Sequence, residues 1–273
     1  MPELPVDAPA CTRLCGIFLE LPEVIQYEQE LQRTPEPPCP PFTQEALEHT
    51  STQFTADGRV IVYTDGSCQK TKLSRLRRAG SGCFWGSGNC LNHSAPVSGN
   101  QTNQRAELQA AVRAAETDPR QLEIRTDSRF VVLGAQNARA RHSHMDLWAR
   151  LAPRLGRVTL VKVKGHATWS HVRLGFVSAA DKVGNAQADR LANAGAEMHP
   201  ARPALEQKVK EQRDLARAYQ KSLVKLLREH DQAVREYDEA VEICGTAVPV
   251  APDPLLPEDG FARRQRRKRR VPS

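Results

Sequence analysis

The sequence lacks a continuous apolar run of the roughly 18 residues that a membrane-spanning helix needs, so no membrane partner is expected. Its seven cysteines have no regular spacing and form no Cys-x-x-Cys pair. A disulfide framework and a zinc site of that type are therefore disfavoured, and a reducing compartment is expected. The first residues, Met-Pro-Glu-Leu-Pro, do not have the pattern of a signal or transit peptide.

Positive charge is in excess. The formal net charge is +7 and the isoelectric point about 9.2, which favours a polyanionic partner. The basic run 263–270 carries seven Lys and Arg residues among eight. Such a run is typical of a nuclear-import sequence or of a tail that binds phosphates without specificity. We expect a nuclear or cytoplasmic protein, and the tail favours the nucleus.

Changes in composition divide the 273 residues into four parts. Residues 1–57 include a proline-rich stretch at 33–42 and are expected to be mostly irregular. The pattern allows one short apolar helix or strand over Gly16 to Ile25 and a helical turn over Glu45 to His49. Residues 58–199 have the alternation of strands and helices that is typical of an α/β domain. Residues 200–245 are predicted to form a long helix, and 246–273 a disordered basic tail.

The α/β part is predicted to contain a mixed sheet. Val60 to Tyr63 is a β-branched and aromatic run typical of a strand buried on both faces. Glycine-rich corners then favour two more antiparallel strands. A helix that must end before Pro119, a strand over 122–127 and a strand over 158–163 follow, with a last helix capped at Asn185. The expectation is three antiparallel strands followed by parallel ones, flanked by helices.

Between Leu205 and Cys244 the chain has a heptad repeat with no internal Gly or Pro. The seam positions are Leu205, Val209, Gln212, Ala216, Tyr219, Leu223, Leu226, His230, Ala233, Tyr237, Ala240 and Cys244. Glutamine, histidine and small residues weaken the seam. Two alternatives stay open, a weak homodimer formed by a coiled coil and a single helix that packs back on its own domain.

Four acidic residues fall at the ends of predicted elements. Asp65 and Asp127 end strands, whereas Glu107 and Asp189 begin helices. Taken alone, an Asp before Gly66 more often caps a turn than binds a ligand. Four such residues in one α/β domain favour a cluster outside the strand ends, where ligands bind. Because the donors are all oxygen, Mg²⁺ or Mn²⁺ is the expected ion.

Five motifs surround these residues in order: Tyr-Thr-Asp65-Gly-Ser-Cys, Thr-Asn-Gln-Arg-Ala-Glu107-Leu, Arg-Thr-Asp127-Ser, Val-Lys-Gly-His166-Ala and Gly-Asn-Ala-Gln-Ala-Asp189-Arg-Leu-Ala. In this order they resemble ribonuclease H of type 1, over about residues 58–199. The resemblance implies an RNase H-like five-stranded sheet and an endonuclease that cuts the RNA strand of RNA–DNA hybrids, leaving 5′-phosphate and 3′-hydroxyl ends.

The resemblance also implies roles for individual residues. Asp65, Glu107, Asp127 and Asp189 would hold two Mg²⁺ ions, and His166 would assist proton transfer or product release. Contacts to the hybrid are implied for eight further residues, namely Gly66, Ser67, Cys68, Thr102, Asn103, Gln104, Ser128 and Arg129.

Several features depart from the family pattern. Arg129 stands where the family usually has an amide, and the basic handle is reduced to Asn137–His144. The loop 168–182 between His166 and Asp189 is an insertion relative to the compact family form. The alternative to an active nuclease is a weakly active or inactive hybrid-binding module tethered by the C-terminal helix. A third interpretation keeps the nuclease chemistry and makes the domain a fragment of a retroelement polyprotein, which concerns its origin more than its activity.

Overall fold

A computed structural model describes residues 21–69, 71, 73–141 and 143–244 of the chain. The first 20 residues and the basic run 263–270 lie outside the described residues. The strands are β1 (Val60–Cys68), β2 (Ala79–Phe84), β3 (His93–Pro96), β4 (Leu122–Thr126) and β5 (Val158–Lys162). The helices are α1 (Pro22–Gln32), α2 (Gln44–Glu48), α3 (Asn103–Thr117), α4 (Arg129–Gln136), α5 (Met145–Leu151), α6 (Trp169–Arg173), α7 (Ala179–Glu197) and α8 (Pro203–Cys244).

The five strands form one sheet in the order β3-β2-β1-β4-β5. β1, β2 and β3 are antiparallel neighbours, whereas β4 and β5 run parallel to β1. The predicted mixed five-stranded sheet with flanking helices is therefore confirmed. β1 was expected to end at Asp65 but continues to Cys68, because it stays paired with β2 after its pairing with β4 has ended.

Each face of the sheet is covered by helices. On one face, buried residues of β1 and β4 such as Val62 and Ile124 belong to the same core as Leu108 of α3 and Trp148 of α5. On the other face α7 lies directly on β2. A Cβ atom at Gly82 would overlap the backbone of α7, so glycine is what allows this close approach. α7 is thereby held in a fixed position against the central strands.

A second, smaller core joins α1 to the first turns of α8. Val24, Tyr27 and Leu31 of α1 are buried with Leu205 and Val209 of α8. Helix α1 differs from the expected mostly irregular start: its apolar residues recur at helical spacing, and α8 supplies the surface that covers them. The first two seam positions of the long helix are thus occupied within their own chain.

The predicted long C-terminal helix is confirmed as α8, which spans 42 residues. Residues from Arg217 onward form a unit of their own. In this unit several large apolar side chains are exposed, including Leu223, Leu226 and Leu227 at 43%, 61% and 61%. Among the described helices, none is both long and apolar enough to cross a membrane.

Two boundaries around α7 differ from the sequence prediction. α7 begins at Ala179 rather than near Asn185, and Ser178 caps it by accepting a hydrogen bond from the Asp181 N–H at 2.9 Å. The expected loop 168–182 contains the short helix α6. Because α7 starts earlier, Asp189 lies in the middle of a helix and not in its first turns.

Candidate active site

Asp65 and Asp127 are brought together by the register of the sheet. The parallel pairing of β1 with β4 ends at Thr64 opposite Thr126, so the next residue on each strand is an aspartate. Both carboxylates therefore lie where the parallel pair ends, which is where ligands bind in α/β sheets. Asp65 is only 8% exposed, and one of its oxygens accepts the Gly66 N–H at 2.7 Å.

Glu107 approaches the same place from α3. Thr102 caps this helix, its side chain accepting the Arg105 N–H at 3.3 Å, and Glu107 is the fifth helical residue. A Cβ atom at Gly66 would overlap the backbone of Ala106 and Glu107, so the glycine lets β1 and α3 meet closely. This contact sets the distance between Glu107 and Asp65.

The carboxylate of Glu107 already has hydrogen-bond partners. Asn103 Nδ2 donates to Oε1 at 2.7 Å, and the Ser128 hydroxyl donates to Oε2. Ser128 also caps α4 by accepting the Val131 N–H at 3.3 Å. Glu107 therefore sits in a polar cradle that links α3 to the start of α4.

Asp189 enters from α7 and completes the set. It lines, with Asp65, Glu107 and Asp127, one cleft of about 630 Å³. The clustering of these four acids affects mainly the pKa of Asp65. Burial raises the pKa of Asp65 to about 8, helped by the negative charges of Asp127, Asp189 and Glu107 and opposed by the Gly66 N–H. Burial also raises the pKa of Glu107, against the hydrogen bond from Ser128.

The four carboxylates fit a divalent cation by the chemistry of their donors. They are oxygen ligands only, and a buried carboxyl whose pKa is raised by like charges is stabilised as an anion by a nearby cation. Within the described part of the chain, however, no group of three or more His, Cys, Asp or Glu side chains is arranged to enclose an ion.

His166 lies at the mouth of the cleft on the loop that follows β5. Its backbone is left-handed, with φ at 47°, an unusual conformation for a residue other than glycine. Next to it, Gly165 packs directly against the carboxylate of Asp127. A Cβ atom at this position would overlap Oδ2 of Asp127, so only glycine allows this close contact. The loop therefore brings the imidazole to the same cleft as the four acids.

The structure separates the residues expected to contact the hybrid into two groups. Gly66, Ser67, Cys68, Thr102 and Asn103 line the cleft beside the acids. The other expected residues lie outside that lining, and they are Gln104, Ser128 and Arg129. Ser128 instead holds Glu107 and caps α4, whereas Gln104 and Arg129 are exposed on their helices.

One lining residue was not anticipated. Arg77, on the connection between β1 and β2, lines the cleft, and its buried Nε has no hydrogen-bond partner among the described residues. It also lines an adjoining cavity of about 200 Å³ together with Thr102. The basic character of residues 69–78 was visible in the sequence, but the sequence did not show that the Arg77 side chain lies in the cleft.

The part of the chain that forms the cleft is similar in sequence to known proteins. The RNase H family model matches residues 57–197. Ribonuclease H1 of Homo sapiens is 34% identical over 172 residues, which cover 58% of this chain and 55% of that protein. Ribonuclease H of Schizosaccharomyces pombe is 33% identical over 154 residues, covering 50% of this chain and 53% of the relative.

Among solved structures, the PFV RNase H domain is 26% identical, with a TM-score of 0.42, and the match covers 53% of this chain and 99% of that domain. The chain spans about half the length of the curated relatives it matches. The family model accounts for more than half of the chain and includes all four cleft carboxylates. This chain belongs to the RNase H family.

Proposed function

We propose that the protein is an endonuclease that cuts the RNA strand of RNA–DNA hybrids and leaves 5′-phosphate and 3′-hydroxyl ends. The observation that carries the proposal is the convergence of Asp65, Glu107, Asp127 and Asp189 on one cleft, within a chain of this family. The human relative is ribonuclease H1. The excess of Lys and Arg over Asp and Glu in residues 58–199 suits a polyanionic substrate.

The ions that best suit these ligands are two Mg²⁺, with Mn²⁺ as a substitute. Asp65 and Asp127 would hold them from the strands, Glu107 and Asp189 from the helices. When bound, such ions stabilise phosphoryl oxygens and lower the pKa of water. Each oxygen of Glu107 accepts one hydrogen bond, from Asn103 or from Ser128, and keeps a second lone pair that could face an ion.

His166 is proposed to move protons at the mouth of the cleft. Its position at the start of an exposed loop gives the imidazole access to both the cleft and solvent. An imidazole can accept and donate protons near neutral pH, as transfer to a leaving oxygen requires. The closeness of Gly165 to Asp127 couples the loop to the acids, so displacement of the loop would disturb both.

Recognition of the RNA strand is proposed for the small polar groups of the cleft. RNA differs from DNA by the 2′-hydroxyl, which both donates and accepts hydrogen bonds. Ser67, Thr102 and Asn103 line the cleft and offer such groups, while Arg77 adds a positive charge for a phosphate. Cys68 is half-buried and its thiol donates to the Gln101 carbonyl at 3.4 Å. We therefore propose that Cys68 forms part of the cleft wall and does not itself donate a hydrogen bond to the RNA.

A second candidate function is hybrid binding with little or no hydrolysis. The specific observation in its favour is that both oxygens of Glu107 are engaged by Asn103 and Ser128. If that cradle holds the free lone pairs of Glu107 away from a bound metal, one ligand is lost and turnover falls. The four acids are all retained, however, and this makes the active nuclease the better-supported proposal.

The experiment that separates these functions uses the full chain and labelled duplexes of one sequence. A hybrid, an RNA duplex and a DNA duplex are incubated with Mg²⁺ or with a chelator. The nuclease proposal expects cleavage of the RNA strand of the hybrid alone, and only with the metal. Binding of the hybrid without any cleavage would support the second candidate instead.

We further propose weak self-association through the outer part of α8. Residues 217–228 carry four cationic and no acidic side chains, whereas 229–242 carry six acidic and one cationic side chain. Two such helices side by side and antiparallel place opposite charges next to each other, and a parallel pair places like charges together. The exposed Leu223 and Leu226 would then be covered by the second copy.

The basic run 263–270 is proposed to direct the protein to the nucleus.

A further inference from the structure

An exposed apolar surface lies on the segment 168–178, which connects the His166 loop to α7. Trp169 is 55% exposed, Leu174 69% and Phe176 70%. Large apolar side chains are costly to leave in water, and a cluster of them on a connection usually marks a binding site. None of the cleft residues described above belongs to this segment.

The backbone of the segment is held in place by its own hydrogen bonds. The side chain of His171 accepts the Thr168 N–H at 3.0 Å, and the Phe176 N–H donates to the His171 carbonyl at 2.9 Å. Gly175 makes the turn between them with φ at 74°, which favours glycine. The aromatic side chains are therefore displayed from an ordered framework, which lowers the entropy cost of binding.

The charge around the aromatic side chains is positive. Lys164 and Arg173 are exposed, and Lys182 Nζ lies 4.6 Å from the centroid of the Trp169 ring. The nearby acid, Asp181, forms an ion pair with Arg125 at 2.7 Å and so is already neutralised. Flat apolar side chains next to cations suit a ligand that combines aromatic rings with negative charge. Nucleotides have both.

The position of the segment after the cleft residue His166 indicates which kind of nucleotide it could bind. It begins two residues after His166, which lines the cleft with the four acids. We take a nucleic acid strand that leaves the cleft past His166 to reach this segment, which follows His166 directly in the chain. The bases of a duplex are paired and stacked on each other, so only unpaired bases can stack on Trp169 or Phe176.

We infer that the segment 168–178 binds unpaired nucleotides that extend from the hybrid, by stacking on Trp169 and Phe176 and by contact of phosphates with Arg173 and Lys182. This inference rests on the proposed function, because it takes the hybrid to be the ligand of the cleft. It predicts a preference for hybrids with a single-stranded extension at one end. A protein ligand for the same surface would give no such preference.

The test is a comparison of dissociation constants for a blunt hybrid and for the same hybrid with a single-stranded pyrimidine extension. Each of the four possible strand ends is extended in turn, and binding is followed by fluorescence anisotropy. The full chain carries Asp127→Asn, which suppresses hydrolysis. One extension is expected to tighten binding by at least about fivefold, the lower limit for stacking of one base on an aromatic side chain.

In that same protein, Trp169→Ala and Phe176→Ala are each expected to bring the ratio of the dissociation constants for the blunt and the extended hybrid closer to one. Trp169→Tyr is expected to retain most of the preference for the extended hybrid. Phe54→Ala is the matched control. Phe54 is 56% exposed but is bridged to Val60, at the opposite end of β1 from Asp65, and its loss should leave the preference unchanged.

Equal affinity for blunt and extended hybrids would overturn the inference, and so would a preference that survives both alanine substitutions. Failure of the proposed function is visible separately, as absence of hybrid cleavage by the wild-type chain with Mg²⁺.

Discussion

Replacement of Asp65 by asparagine is expected to stabilise the metal-free protein. In the folded state the pKa of Asp65 is raised to about 8, whereas the ordinary value is 3.8. The folded protein therefore retains a proton that the unfolded chain has lost, and folding is opposed by the ionisation of Asp65 as pH rises from about 4 to about 8. At pH 7 this difference corresponds to about 4 kcal/mol of lost stability.

Asparagine keeps the size of the side chain and an oxygen for the Gly66 N–H, but it carries no charge. The midpoint of thermal unfolding should rise by about 8 to 16 °C at pH 7 in the presence of a chelator, from about 2 to 4 °C per kcal/mol for a domain of this size. Near pH 4 the two proteins should unfold at similar temperatures. Added Mg²⁺ should raise the midpoint of the wild type more than that of Asp65→Asn.

The measurement is differential scanning calorimetry between pH 4 and pH 8, with and without Mg²⁺. Asp118→Asn is the matched control, because Asp118 is fully buried but paired with Arg120 at 2.8 Å and bonded to the Trp85 indole. Its neutralisation should destabilise the protein at pH 7 and pH 8, because Arg120 would lose its charged partner. An Asp65→Asn protein that unfolds at a lower temperature than the wild type at pH 8 without metal would refute the electrostatic account of the cleft.

Three further predictions concern other parts of the chain. His166→Ala should bind the hybrid but cleave it about 10²- to 10⁴-fold more slowly in single-turnover assays, and an unchanged rate would remove His166 from the chemistry. Leu223→Asp with Leu226→Asp should abolish the concentration-dependent self-association expected of the wild type in sedimentation; a wild type that is monomeric throughout would contradict that proposal. Deletion of 262–273 should reduce nuclear accumulation and should make hybrid binding less dependent on salt, without affecting cleavage. If neither property changes, both proposed roles of the tail are wrong.

The presence of the strands and their directions could be predicted from local patterns. β1, β4 and β5 carried a β-branched run or an alternating pattern, and the glycine corners favoured an antiparallel arrangement of the first three strands. The meeting of Asp65 and Asp127 followed from the same logic, since both come directly after residues expected to be strands. These properties depend on neighbours in sequence, and that is why the sequence was sufficient for them.

Other features depend on contacts between distant segments. The cradle of Glu107 needs Ser128, 21 residues away, and the inward position of Arg77 needs the exact turn after β1. Helix α1 is stabilised by Leu205 and Val209, which no local pattern in residues 22–32 reveals. The late start predicted for α7 has two causes. The ion pair of Asp181 with Arg125 joins distant segments, whereas the Ser178 cap is a local signal that the prediction passed over in favour of Asn185.

The central claim is that the carboxylate cleft cuts the RNA strand of a hybrid. It is tested most directly by single-turnover cleavage of a labelled RNA–DNA hybrid by the wild type and by Asp127→Asn, both with Mg²⁺, together with hybrid binding by each protein. We predict that the wild type cuts the RNA strand, and that Asp127→Asn binds the hybrid but loses cleavage, because one ligand worth several kcal/mol of charge stabilisation is removed. Near-full cleavage by Asp127→Asn, or no cleavage by the wild type, would contradict the claim.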